Sequence, residues 1–305
     1  MTIQTLTGDG VLTTVKPGFV DQTNAEYHGG PGTSKSDLAL FAQSPLHWWH
    51  AKRNPEREMA AEQAAPLLLG SAIHGAVLEP DLFSAEYACL PEDAPKRPTD
   101  RQVNAKKPSA ETLDAIAWWR DFELANTGKE LLTIYQHRTA LAVRDAVNRH
   151  PIARTLFTGG RAEQSVHAVD TETGEHIKCR FDYLGGMAVD LKSCADASPD
   201  GFGRASFNFS YYLQPPWYFD VMKSAFGEAP PFWVFVAVET KPPYAIGIYY
   251  VTAEQIELGR RIARKLFTRL VAAKRLDQWP SFSDHEVRAL EMPGWAMRQL
   301  ENNAL

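Results

Sequence analysis

The hydrophobic period changes at Pro151, and that change restricts the fold more than any other feature of the chain. Upstream, residues 110–124 and 131–148 repeat at helical spacing. In the second segment Leu132, Tyr135, Ala142, Val143 and Ala146 make the stripe, with Thr139 filling its gap. Downstream, residues 163–169 alternate, and Thr171-Glu172-Thr173-Gly174 reads as a turn. Residues 176–184 alternate again, Gly185-Gly186 is a hairpin signal, and residues 187–192 follow as a short strand. The pattern predicts a three-strand meander. A helix follows around residues 214–226. Two more strands at 232–238 and 245–251 come next, then a helix over 253–274 on Ile256, Ile262, Ala263, Leu266, Phe267 and Leu270. Helices on both sides of such a run of strands predict an α/β fold with a central mixed sheet flanked by helices.

The N-terminal part reads differently. Residues 1–26 are predicted to be a flexible arm, and residues 27–305 one domain with a helical N-terminal part. Tyr27-His28-Gly29-Gly30-Pro31-Gly32-Thr33 is dense in turn formers. Ser34 or Ser36 then caps a helix, and Ser44-Pro45 stops and restarts it. Residues 60–78 read as a helix interrupted near Pro66 and Gly70. Residues 91–108 carry Pro, Lys and Asp without apolar period and read as a loop.

The strands of the meander carry the chemistry. Asp190 and Lys192 are two residues apart, so a strand points both to one face. Asp182 lies across the Gly185-Gly186 hairpin and can reach the same point. Two carboxylates at one spot suit a hard cation with oxygen ligands, Mg²⁺ with Mn²⁺ as its substitute. The adjacent ammonium can orient or help deprotonate a water and offset charge on a phosphate. Val189 and Leu191 are apolar, so the strand is at least half buried. Placing Asp190 and Lys192 on it needs a reason beyond solvation.

Charge and cysteines narrow the class. Among 305 residues, 32 Lys and Arg against 37 Asp and Glu give a net charge of −5. That excludes a histone-like binder and leaves local patches to meet any phosphate. Cys89, Cys179 and Cys194 are too few and too far apart for a four-cysteine cluster. They suit a reducing cytoplasm, the expected location. No basic and apolar leader opens the sequence, and no run is long enough to span a bilayer, so no membrane association is expected. Neither a Walker A motif nor G-x-S-x-G is present, which leaves out a built-in motor and a serine nucleophile of that type.

In order, these pieces resemble the PD-(D/E)xK nuclease superfamily, and within it the exonuclease VIII (RecE-type) nuclease domain. The resemblance rests on Tyr27-His28, Ser34-Lys35-Ser36-Asp37-Leu38 and Ser44-Pro45, then Gly70-Ser71-Ala72-Ile73-His74, then Glu163. It continues through Arg180-Phe181-Asp182, Asp190-Leu191-Lys192, Gln214 with Tyr218, and Glu239 with Pro243-Tyr244. It spans residues 27 to 275 and implies a restriction-endonuclease-like core. It implies metal ligation by His74, Asp182, Asp190 and the carbonyl of Leu191. Glu163, Lys192, Gln214 and Tyr218 would join Asp182 and Asp190 in the catalytic set. It further implies 5′-to-3′ digestion of double-stranded DNA ends, a tetrameric homo-oligomeric ring, and a single-strand annealing partner of the RecT type for recombination, in a phage or prophage setting.

DNA contact is expected from Lys35 and from Arg260, Arg261 and Arg264 on the last long helix, for which a solvated face is the competing reading. Trp48-Trp49 could stack on a base, and such a pair more often packs in a core. Two other functions stay open at this point: a RecB-like or CRISPR-associated nuclease on single-stranded ends, and a catalytically silent DNA-binding module of the same fold.

Overall fold

The structure is a computed structural model that describes residues 2–6, 12–54, 61–284 and 286–304. The chain opens with strands β1 (Ile3–Leu6), β2 (Leu12–Val15) and β3 (Gly18–Val20). Helices α1 (Asn24–Gly29), α2 (Lys35–Gln43), α3 (Pro45–Lys52), α4 (Ala61–Leu78) and α5 (Pro80–Glu86) follow, then β4 (Tyr87–Cys89). After these come α6 (Asp100–Val103), α7 (Ala110–Ala125), β5 (Glu130–Leu132), α8 (Ile134–Arg149) and α9 (Ala153–Leu156). The meander is β6 (Arg161–Val169), β7 (His176–Leu184) and β8 (Ala188–Cys194). The remainder is α10 (Pro199–Asn208), a 3-10 turn, α11 (Gln214–Phe226), β9 (Trp233–Glu239), β10 (Ile246–Tyr250), α12 (Ala253–Leu276) and α13 (Gly294–Asn303).

Six strands form a mixed sheet in the order β10-β9-β8-β7-β6-β3. Every neighbouring pair is antiparallel except β8 and β9, which run parallel because α10 and α11 carry the chain across between them. One face is covered by α2, α11 and α12. There Trp217, Val221, Phe267 and Leu270 pack on Val166, Ile177, Cys179, Phe181 and Ala237. The other face is covered by α4 and α8, with Ala72, Ile73, Val143 and Val147 against Val189, Leu191, Val236 and Val238. Val189 and Leu191 therefore bury toward α4, and the pleat turns Asp190 and Lys192 the other way, toward α11.

Three expectations change. Residues 3–20, expected in a loose arm, hold three strands. The last of them joins the main sheet with Gly18, Phe19 and Val20 opposite His167, Val166 and Ser165. A three-residue strand is too short to show alternation, and Phe19 declares itself only by packing against Phe226, ring centroids 4.8 Å apart. Helix α4 runs unbroken from Ala61 through Pro66 and Gly70. Ala72, Ile73 and Ala76 are wholly buried, and that packing outweighs local propensity; Ala60 lies outside the described residues. Leu131 and Leu132, expected to open a helix, pair in parallel with β4 instead. Helix α11 runs from Gln214 to Phe226 as expected, and Pro215 and Pro216 fit its first turn, where no N–H is needed. Ser34 caps α2 through a reciprocal bond with Asp37. Ser44 ends that helix and caps the next.

Candidate active site

The site forms where β7 and β8 part. Their ladder ends at the Tyr183–Val189 pair, after which β8 pairs only with β9. The parting frees the Leu191 N–H, and Asp182 Oδ2 accepts it at 2.8 Å. On the other side of β7 the register sets Glu163 opposite Asp182. The ladder skips this pair, and Glu163 takes a left-handed φ of 52°. A β-strand glutamate there is strained, and the strain aims its carboxylate at Asp182. His74 of α4 completes the group. Its Nδ1 lies 3.6 Å from Asp182 Oδ2, and one donor atom from each of His74, Glu163 and Asp182 lies within 4.8 Å of the others. Among the described residues this is the one cluster of its kind.

These three groups do not neutralise one another. Burial and then the Asp190 charge push the Asp182 carboxyl well above the ordinary carboxylate range. Burial and then Asp182 raise Glu163 as well. Burial and then Lys192 lower His74, so the imidazole is neutral and its ring nitrogen is a lone-pair donor. Arg180 is the countercharge at the edge. Its Nε donates to Glu163 Oε2 at 2.6 Å, and its Nη1 donates to Ser165 Oγ and the Gln22 carbonyl.

Asp190 sits beside this cluster and not in it. Its side chain is 1% exposed. One oxygen faces the Lys192 ammonium and the other accepts from Gln214 Nε2. Burial works against the Lys192 charge, but Asp190 and Asp182 outweigh it and hold the pKa above the usual lysine value. The helix start at Gln214 is what puts that amide over Asp190. Tyr218, one turn on, meets Phe181 and Trp233 edge to face at 5.1 and 5.2 Å and forms wall. Leu191 meets the cluster through its backbone, whose N–H Asp182 accepts.

All of this opens into a cleft of about 700 Å³. Asp182, Glu163, His74, Lys192 and Gln214 line it together with Gln22, His28, Ser71 and Tyr87. Sequence spacing gave neither Arg180 nor His28 a role. For Arg180 the signal was present: it is two residues from Asp182 and shares its face of the strand.

The expected DNA contacts divide. Lys35 lies close to the site: its Nζ donates to the Phe209 carbonyl at 3.0 Å, and burial and then Lys192 bring its pKa down to about 8. Arg260 is engaged by Asp220 and Glu257, and Arg264 by Asp170 and Glu172. Both guanidiniums are tied into the fold, which leaves less of their charge for a phosphate. Arg261 stays exposed, on a surface it shares with Lys265, Thr268 and Arg269. Trp48 is buried, stacks on Trp279 at 4.9 Å and donates to Asp37, which makes it core.

The donor set suits a divalent cation. It offers two carboxylates whose pKa values are raised, chiefly by burial, and a neutral imidazole, with an ammonium alongside. A split in the sheet that holds such a set beside an Asp-x-Lys strand defines the chain as a member of the PD-(D/E)xK nuclease superfamily. More narrowly, residues 34–286 match the family described as PDDEXK-like domain of unknown function (DUF3799), and the chain belongs to it. It is also similar in fold to the crystal structure of a "Putative exonuclease" from Eubacterium rectale. The TM-score is 0.57 at 15% identity, over 92% of this chain and 98% of that one. No curated protein matches it. No described helix is long and apolar enough to cross a membrane.

Proposed function

We propose that this chain is a Mg²⁺-dependent exodeoxyribonuclease that degrades double-stranded DNA from its ends in the 5′-to-3′ direction. One observation carries the nuclease reading. His74, Glu163 and Asp182 converge, with Arg180 paired to Glu163 alone, next to an Asp190–Lys192–Gln214 chain beside a cleft. The duplex and polarity assignments rest on the sequence resemblance to the RecE type, as do a tetrameric ring and a RecT-type annealing partner. A ring would keep a chain of net charge −5 on DNA by topology.

His74, Glu163 and Asp182 would hold the cation, with Asp190 and the Leu191 carbonyl as neighbouring oxygens. Bound there, a divalent ion supplies charge for the scissile phosphate and activates a water. The chain's own residues do the rest. Lys192 has a raised pKa, so it works as a protonated donor that orients the water and meets charge on the phosphate, not as the base. Gln214 holds Asp190, which in turn fixes the ammonium. Arg180 holds Glu163 in its strained conformation.

The test is digestion of duplexes labelled at the 5′ or 3′ end, with Mg²⁺, with Mn²⁺ and with EDTA. Release of the 5′ label first, in metal alone, is the expected result. Exclusive attack on single strands would favour the RecB-like reading. No cleavage with any metal, alongside intact DNA binding, would favour the silent module.

A further inference from the structure

The loop between β4 and α7 carries a dense run of unpaired positive charge. Between Lys96 and Ser109 there are five cations and one carboxylate, Asp100. Arg97 stacks on Trp119 at 4.7 Å and pairs with Glu123. The other four, Lys96, Arg101, Lys106 and Lys107, are exposed, and none has a carboxylate within ion-pair distance among the described residues. The contrast with Arg260 and Arg264, each held by two acids, is direct.

The loop is shaped before anything binds. Trp119 Nε1 donates to the Pro95 carbonyl at 3.0 Å. Thr99 caps α6 through a reciprocal bond with Gln102, and Ser109 caps α7. Cations displayed on an ordered loop lose less entropy on binding than cations on a free tail. The loop also starts near the site. Leu82, Glu86 and Tyr87 line the cleft, and β4 leads from Tyr87 toward the loop. The nine residues from Tyr87 to Lys96 span at most about 30 Å. A duplex turn is about 34 Å long, so a duplex ending in the cleft is long enough to reach the loop.

We infer that Lys96, Arg101, Lys106 and Lys107 form a phosphate-backbone contact surface that holds duplex DNA leading into the cleft. The inference rests on the nuclease reading above and adds where the polymer lies.

The test is the quadruple variant K96A/R101A/K106A/K107A. Its exposed, unpaired side chains leave the thermal melt near that of the parent. Binding of a labelled blunt duplex in EDTA is titrated at several salt concentrations. Hydrolysis of bis(p-nitrophenyl) phosphate, too small to touch the loop, is followed in parallel with Mn²⁺. The variant should bind DNA at least about tenfold more weakly at low salt, with a log–log salt slope flatter by about 0.9 for each phosphate it no longer neutralises. Small-ester hydrolysis should be unchanged. Unchanged affinity and slope would overturn the inference and leave the nuclease reading standing. An equal loss of small-ester hydrolysis would overturn it too, by showing an effect on the site itself. A parent protein that neither binds DNA nor hydrolyses the ester would overturn both.

Discussion

The two ends of the β6–β7 hairpin both bury polar and charged groups, and they handle them in opposite ways. At the turn end, Asp170 is bonded by Arg264 and Thr173, and Arg264 also reaches Glu172. Lys178 donates to the carbonyls of Tyr27 and Gly30. His167 and His176 share a hydrogen bond of 2.8 Å and are both neutral. Burial, followed by neighbouring positive charge, brings their pKa values to about 4 and about 3. At the open end, Glu163 and Asp182 face each other with raised pKa values, a neutral histidine beside them and Arg180 paired to Glu163 only. The same two strands thus hold a cluster in which each charge has a partner, though His176 Nδ1 and Arg264 Nε lack one, and a second in which like charges meet. A settled buried cluster explains itself as structure. An unsettled one costs stability, and a ligand of opposite charge is the natural reason to keep it.

The largest effect should come from Asp182→Asn. Loss of a carboxylate that would hold the cation removes several kcal/mol of charge stabilisation, about a thousandfold or more in cleavage. In metal-free protein the same change should help the fold. The folded pKa of Asp182 is raised, so its share of stability is present below the unfolded value near 4 and is lost as pH rises above it. Melting in EDTA should therefore show the parent losing stability as pH rises from about 4 to about 8, and Asp182→Asn losing less. The turn end should show the reverse sign. The His167 and His176 pKa values are depressed, so their share is present above about pH 6.5 and is lost as pH falls toward 4 and 3. His176→Asn should flatten the acid side of the melting profile and leave the alkaline side alone. Identical pH profiles for the two variants would erase the contrast between the ends.

Lys192→Ala comes next. Cleavage should fall by about 10²–10³ with DNA binding mostly kept, because the ammonium acts on the transition state more than on the bound substrate. The variant should also melt lower. It leaves Asp190 buried without its cation, a loss of about 3–5 kcal/mol unless the carboxyl takes up a proton. A kinetic comparison at a temperature well below both melts separates the two losses. Full activity would remove the lysine from the mechanism.

Arg264→Ala should destabilise by about 1.5–3 kcal/mol through its bonds to Asp170, with cleavage and the salt dependence of DNA binding unchanged. A flatter salt slope would return this residue to the DNA. Arg261→Ala is the smallest change: no loss of stability, and a slope flatter by about 0.9 if that side chain meets a phosphate.

Much of the fold is legible in the sequence, for physical reasons. The meander, the hairpin at Gly185-Gly186 and the placement of Asp190 and Lys192 on one face follow from period two and turn chemistry. What the sequence hides depends on tertiary geometry. The left-handed φ of Glu163 has no local signal. Neither does the parting of β7 from β8, which decides that Asp182 turns to His74 and Glu163 while Asp190 is held by Lys192 and Gln214. Spacing on α12 shows seven cations but not the acids of the β6–β7 turn that claim Arg264, because those lie some ninety residues away in sequence. Strand β3 stays hidden because three residues carry too little pattern.

The central claim is that the unsettled cluster is a cation site, and crystals soaked in Mn²⁺ test it without any assay of activity. The account predicts an anomalous peak in contact with both His74 and Asp182, absent from Asp182→Asn crystals that keep the fold. A peak elsewhere, or none at Mn²⁺ concentrations that raise the parent's melting temperature, would contradict it.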